Sequence, residues 1–310
     1  MLRTIRLTAA IVCFALITLL FLDFTGTLHT WFGWLAKIQF LPAVLALNIG
    51  VVLLLIVLTL LFGRIYCSVI CPLGVFQDAV SWISGKRKKN RFRYSPALRW
   101  LRYGVLTVFV IALVAGWNTF VILLAPYSAY GRMASSLLAP FWQWGNNLMA
   151  YFAERAESYA FYEVDMWMKS LSTLIIAIIT LVVLFILAWR NGRTYCNTIC
   201  PVGTILGFIS RYSIFKPVID TSKCNGCGLC ARNCKASCIN TKAHEIDYSR
   251  CVACMDCLGK CKQGAIRYTR RIPKKESATT ETVQVKSVTA EQVNNARRSF
   301  LSASAVVATT

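Results

Sequence analysis

The sequence predicts an all-α polytopic membrane protein, four transmembrane helices in two repeats, carrying a small C-terminal cytoplasmic α+β domain. Three observations lead there. Four long apolar stretches interrupt the chain. A twelve-residue motif at the end of the second stretch returns at the end of the fourth. Nine of the fourteen cysteines crowd into residues 224–261.

Hydrophobic residues make up 56% of the 310 and the mean hydropathy is +0.55, against roughly 45–50% apolar residues in soluble domains. A spanning helix takes about 20 predominantly apolar residues. Stretches at about 7–22, 41–63, 103–125 and 171–189 meet that need. The first follows Arg3 and Arg6 and runs on into Asp23-Phe24-Thr25-Gly26 with no small-x-small site, so it reads as an uncleaved anchor rather than a signal peptide.

The formal charge of +21 is unevenly placed. Residues 64–102 hold nine Lys and Arg against one acid, Asp78, whereas residues 126–170 hold three against four acids. Such asymmetry is the positive-inside pattern. It puts both termini and the 64–102 loop in the cytoplasm, residues 23–40 and 126–170 in the periplasm, and the chain in the inner membrane. The run Lys86–Arg93 is a topology signal that also meets anionic lipid. No nucleic-acid-binding fold accompanies it.

The repeated motif defines the organisation. GRIYCSVICPLG at 63–74 and GRTYCNTICPVG at 192–203 agree at eight of twelve positions. Residues 1–85 form a first transmembrane repeat of two spans plus motif, 86–102 a basic loop, and 103–212 a second repeat. Parallel repeats of this kind are related by an axis along the membrane normal, so both motifs fall on one side. Residues 28–40 and 140–152 carry paired tryptophans suited to the membrane interface. A small domain follows at 218–270 and a polar linker at 272–295.

That small domain carries the strongest chemical signal. Cys224, Cys227, Cys230 and Cys234 are spaced C-x2-C-x2-C-x3-C, and Cys251, Cys254, Cys257 and Cys261 repeat the spacing 27 residues later. Zinc ribbons use pairs rather than triplets plus one, and a cytoplasmic location disfavours disulfides. In this arrangement three thiolates from each loop hold one 4Fe–4S cube and the fourth ligates the other cube. Cys224, Cys227, Cys230 and Cys261 are thus assigned to one cluster, and Cys251, Cys254, Cys257 and Cys234 to the other. The segment resembles the bacterial two-cluster ferredoxins, making this a ferredoxin-like α+β domain. It departs from them in having Lys235 and Lys262 where the family has proline, and those cations are expected to raise the cluster potentials. Cys238 is read as a packing residue with a spare-ligand role as the alternative, and Cys13 as packing within the first span.

Other cofactors have little support. No Cys-x-x-Cys-His is present, and His29 and His244 fall on opposite sides of the membrane, so bis-His haem is excluded. Neither a P-loop nor a G-x-G-x-x-G run occurs. Two clusters with no evident metabolite pocket point to electron relay.

In the repeated motif, the residue before proline avoids the helical region and proline suits the first position of a new helix. Cys71 and Cys200 therefore sit at helix N-termini, where the partial positive charge favours a thiolate, with Arg64 and Arg193 adding to it. Cys67, Cys71, Cys196 and Cys200 are candidate redox or cofactor thiols. They are suited to a further metal or cluster held jointly across the pseudo-twofold, to dithiol exchange, or to contact with a flavin or quinone. Plain packing at a helix end is the alternative.

Two Y-C-x3-C-P motifs at the ends of the second and fourth spans, followed by a two-cluster domain, resemble the NapH family of membrane quinol dehydrogenase components. NosR regulators and CcoG-type copper-handling proteins share the architecture. The resemblance covers about 1–270. It implies electron transfer between the quinone pool and an Fe–S or cytochrome partner of a respiratory reductase, carried by two 4Fe–4S clusters. Copper reduction and delivery, or a NosR-like regulatory role, are the alternatives that it also implies. Residues 126–132 look like a family stretch of unassigned role. His29 with Trp31 and Trp34 is the candidate quinol contact, an ordinary interfacial His the alternative. The tail at 296–310, Ala-Arg-Arg-Ser-Phe-Leu and onward, resembles the start of a twin-arginine signal.

Overall fold

A computed structural model describes residues 2–23, 25–85, 92–155, 162–164 and 170–270. The basic run at 86–91, the linker at 272–295 and the tail at 296–310 lie outside them.

The first repeat runs through α1 (Leu2–Leu22), α2 (Thr27–Phe32), α3 (Trp34–Lys37), α4 (Phe40–Leu45), α5 (Ile49–Phe62), the single turn α6 (Tyr66–Val69) and α7 (Pro72–Gly85). The second runs through α8 (Arg99–Val114), α9 (Asn118–Leu124), α10 (Pro126–Met133), α11 (Ala139–Arg155), α12 (Leu171–Asn191), a π-helical turn at Tyr195–Ile199, and α13 (Pro201–Ile209). The small domain then supplies β1 (Phe215–Ile219), α14 (Leu229–Arg232), β2 (Ile239–Asn240), β3 (Glu245–Ile246), α15 (Asp256–Lys260) and β4 (Ile266–Arg270). Strand β1 pairs antiparallel with β4, Phe215 facing Arg270, and β2 pairs with β3.

Two helices among the described residues, α1 and α12, are long and apolar enough to cross a membrane; the sequence predicts four. Each has 21 residues and so spans about 31 Å, matching a hydrocarbon core of about 30 Å. Their outer faces leave Ile11, Val12, Ile175, Ile179 and Val183 exposed, as a lipid-facing surface would. The predicted stretches 41–63 and 103–125 are each broken in two. After α4, Leu47 turns left-handed (φ 52°) and Asn48 N–H returns to the Ala43 carbonyl at 2.9 Å. After α8, Gly116 does the same (φ 75°) and Trp117 N–H returns to Ala112 at 2.8 Å. Both are Schellman stops. They leave α5 with 14 residues and α8 with 16, short of a full crossing.

The apolar core is continuous across the repeats. Ile17 and Leu20 of α1, Leu55 of α5, Phe109 of α8, Leu184 of α12 and Leu206 of α13 bury together with all four motif cysteines. Residues 126–132, unassigned from sequence, begin α10 and pack on α1. The Tyr130 hydroxyl meets Thr18 Oγ1 at 2.6 Å, and a Cβ on Gly131 would press on the Phe21 ring at 2.7 Å.

Candidate functional site

The two cysteine runs of the small domain fold as the same loop. In the first, Gly226 (φ 69°) and Gly228 (φ 72°) take left-handed conformations; in the second, Ala253 (φ 49°) and Met255 (φ 59°) occupy the matching places. Two left-handed residues within five curl the chain so that its cysteines face one point, at little strain for glycine and more for Ala253 and Met255. Cys224, Cys227, Cys230 and Cys261 line one cavity of about 120 Å³. Cys234, Cys251, Cys254 and Cys257 line another, together with Cys238. The two cavities bring together the cysteines that the spacing groups, with Cys238 added to the second. Cys238 lies 3.5 Å from Cys234, sulfur to sulfur. Cys238 also bonds Cys251, and contact with Cys238 lowers the pKa values of Cys234 and Cys251.

Each of the eight repeated motif positions has a structural reason. Gly63 (φ 71°) and Gly192 (φ 70°) terminate α5 and α12. Tyr66 donates its hydroxyl hydrogen to Gln39 Oε1 and accepts from Phe40 N–H, and Tyr195 donates to the Leu124 carbonyl, so each ties its motif to the helices of its own repeat. Pro72 opens α7 and Pro201 opens α13. Cys200 caps α13, its sulfur accepting from Gly203 N–H at 3.4 Å. Ile70 and Ile199 pack against the common core beside the four buried thiols.

The arginines cross over. Arg193 of the second motif donates to the Cys67 carbonyl of the first at 2.5 Å, and Arg64 of the first donates to the Cys196 carbonyl of the second at 3.1 Å. The final glycines make room for this exchange. A Cβ on Gly74 would run into the Cys67 carbonyl and stand 2.9 Å from Arg193 Nη1; one on Gly203 would meet the Cys196 carbonyl and Arg64 Nη2 in the same way. Gly74→Ala and Gly203→Ala are each expected to destabilise the chain by about 1–3 kcal/mol. Gly145→Ala, with nothing near its Cβ position, serves as the control. Equal melting temperatures in detergent for all three would contradict the crossed packing.

The small domain docks on this junction through charge. Asp78 of α7 accepts from Arg193 Nη2 at 2.7 Å and Arg6 Nη1 at 3.1 Å, and pairs with Lys235 at 3.6 Å. Burial alone would raise its carboxyl, but Arg193, Lys235 and Arg6 together hold it well below the usual range. Lys235 also pairs with Asp256 at 2.9 Å, and Asp256 with Arg3. The Lys235 carbonyl accepts from Arg193 N–H. In the second repeat Gly207 stands where the first has Asp78, and the Ser249 carbonyl fills the space, accepting from Arg64 and Arg102. The 92–98 strap closes the contact: Phe92 N–H bonds Arg232, and Arg250 donates to the Ser95 carbonyl at 2.6 Å. Lys235, expected from sequence to raise a cluster potential, also pairs with Asp78 and Asp256 and so docks the small domain. Lys262 borders the other cysteine cavity.

Thiol activation at the motif is not what the geometry supports. Cys71 and Cys200 do precede helices, but all four motif cysteines are buried. Burial pushes the Cys196 thiol up to about 11 and raises Cys71 and Cys200 as well. Desolvation outweighs the helix N-terminus.

His29, Trp31 and Trp34 follow α1 in the α2–α3 segment, and the chain just beyond them returns to the first motif, where Gln39 donates to the Leu35 and Ile70 carbonyls and accepts from Tyr66. Asp23 accepts from His29 N–H at 3.1 Å and faces its ring at 3.3 Å. Trp31 and Trp34 are exposed. Asp23, but none of those three, lines the 570 Å³ cavity nearby, with Phe141 and Trp142. The structure does not gather the three into a site.

Comparison with known proteins agrees with this chemistry. A family model described as a 4Fe-4S binding domain matches residues 44–90 and 172–220, the two motif-bearing segments, and another of that description matches 217–240. The chain is 26% identical over 195 residues to the ferredoxin-type protein NapH of Haemophilus influenzae, covering 63% of this chain and 55% of that protein. It is 25% identical over 201 residues to the putative electron transport protein YccM of Escherichia coli, covering 63% and 47%. It is 26% identical over 173 residues to the methylamine utilization ferredoxin-type protein MauN of Methylobacillus flagellatus, covering 56% and 48%. The chain spans about half the length of these curated relatives. No solved structure matches it. Fold, cysteine sets and matches point to an iron–sulfur protein of the ferredoxin type. Within that class, the chain is similar to the ferredoxin-type proteins NapH and MauN and to YccM.

Proposed function

We propose that this chain relays electrons between the membrane quinol pool and an Fe–S or haem partner of a respiratory reductase, through two 4Fe–4S clusters in its small domain. Cys224, Cys227, Cys230 and Cys261 hold the outer cluster, and Cys251, Cys254, Cys257 and Cys234 the inner one. When bound, each cluster supplies one-electron chemistry. The observation that carries the relay is Arg64. Its buried guanidinium donates to the Ser249 carbonyl, two residues before Cys251, and to the Cys196 carbonyl of the motif. One side chain thus joins the inner cluster loop to the motif thiols, which puts Cys67, Cys71, Cys196 and Cys200 next in line.

Orientation follows from charge: the basic side carrying the motifs and the small domain faces the cytoplasm, and the chain resides in the inner membrane. The repeats at 1–85 and 103–212 form the membrane platform, and 218–270 the relay domain.

Ligand exchange between the loops gives the test. Cys261→Ser should remove the outer cluster, although Cys261 belongs to the second run. Cys234→Ser should remove the inner one, although Cys234 belongs to the first. Reduced full-length protein examined by EPR should show the spins of both small-domain clusters, and each variant one cluster spin per chain fewer than the wild type. If Cys261→Ser instead removed the cluster held by Cys251, Cys254 and Cys257, the allocation would be wrong. If neither variant altered the spectrum, the relay itself would be.

A further inference from the structure

We infer that Cys67, Cys71, Cys196 and Cys200 together hold one further 4Fe–4S cluster on the axis between the repeats, so that neither repeat binds it alone. This builds on the relay proposed above and adds its third station.

Stoichiometry is the starting point. Each segment matching the 4Fe-4S description at 44–90 or 172–220 contains one motif and two motif cysteines, whereas a cube takes four thiolates. The fold supplies four by bringing the motifs together. The crossed bonds of Arg64 and Arg193 fix each motif's first cysteine against the other motif, and Arg64 Nη2 also stands 4.0 Å from the Cys67 sulfur. All four cysteines are at most 4% exposed and share one apolar cluster.

Charge is the second, independent observation. Arg64 is fully buried, yet among the described residues its acceptors are neutral: Asn197 Oδ1 and the carbonyls of Ser249 and Cys196. Its Nε has no partner. Arg102, 3% exposed, likewise donates to the Ser249 hydroxyl and to carbonyls, and its Nε has no partner. A buried guanidinium without a counter-charge is strongly unfavourable. Cys251 of the inner cluster loop is within electrostatic reach of Arg64, and thiolates at the motif would add counter-charge on its other side. A cube held by four thiolates is an anion in its oxidised and reduced forms, and it would stand beside Arg64.

Held there, a cluster would supply one-electron chemistry beside the loop of the inner one.

Iron and acid-labile sulfide per chain decide the matter, measured on full-length protein purified anaerobically in detergent. Wild type should hold about 12 iron atoms. Cys67→Ser/Cys196→Ser, removing one ligand from each repeat, should hold about 8 and keep the EPR signals of both small-domain clusters. The wild-type count stands by itself should the variant fold poorly. A wild-type count of about 8, or copper bound in place of iron at these thiols, overturns the third cluster while leaving the two-cluster relay intact. The relay fails separately, if iron is unchanged in Cys254→Ser and Cys261→Ser.

Discussion

Asp78→Ala should destabilise the folded chain by about 3–5 kcal/mol, the cost of stripping one partner from a buried ion network. Thermal unfolding in detergent should show a melting temperature lower by about 10 °C. The carboxylate is the shared acceptor of Arg193 and Arg6 and pairs with Lys235. Without it, two buried guanidiniums and an ammonium lose their counter-charge, and the small domain loses a tether to α7. The pH dependence has a definite sign. Asp78 is held below the usual carboxylate range in the folded chain. Its contribution is therefore complete above the unfolded value of about 3.9 and is lost as pH falls below that. The wild type should lose stability on acidification more steeply than Asp78→Ala. Parallel acid profiles would show that Asp78 is not the centre of the network.

Cys254→Ser should stop electron flow while leaving the chain folded. Cys254 lies in the loop nearest the motif junction, and Lys235 and Asp78 both act on its sulfur electrostatically. Losing it should remove the inner cluster, about 4 iron atoms, and leave the outer cluster with all of its ligands. With the inner station gone, a reduced outer cluster should pass its electron to a quinone analogue at least about 10²-fold more slowly, a barrier increase of about 2.7 kcal/mol. Stopped-flow absorbance of membrane-embedded protein reads this directly. Reoxidation at the wild-type rate would mean that electrons bypass the inner cluster.

Much of this site could be read from the sequence because its requirements are local. Cysteine spacing marks eight candidate ligands, and the fold lines two cavities with them. Pro72 and Pro201 mark the helix starts for equally local reasons. The spans were less legible. Gly116 is an ordinary stop signal within an apolar run, but Leu47 adopts the same left-handed turn with no glycine to announce it. Least legible were contacts across the repeats. Arg64 and Arg193 read as helpers of their own cysteines, whereas each bonds the opposite motif. Asp78 was passed over because its counterpart in the second repeat is Gly207, and only the fold shows the Ser249 carbonyl occupying that place. Lys235 looked like a substituted proline beside a cluster, and its engagement with Asp78 and Asp256 depends on how the small domain docks.

The most direct test of the central claim is EPR of the anaerobically purified full chain, in lipid nanodiscs, before and after addition of a low-potential menaquinol analogue. Electron relay between the quinol pool and the clusters predicts the appearance of reduced 4Fe–4S signals in the wild type and the loss of the inner-cluster signal in Cys254→Ser. Clusters that dithionite reduces but the quinol analogue leaves untouched, together with copper bound at the motif thiols, would contradict it.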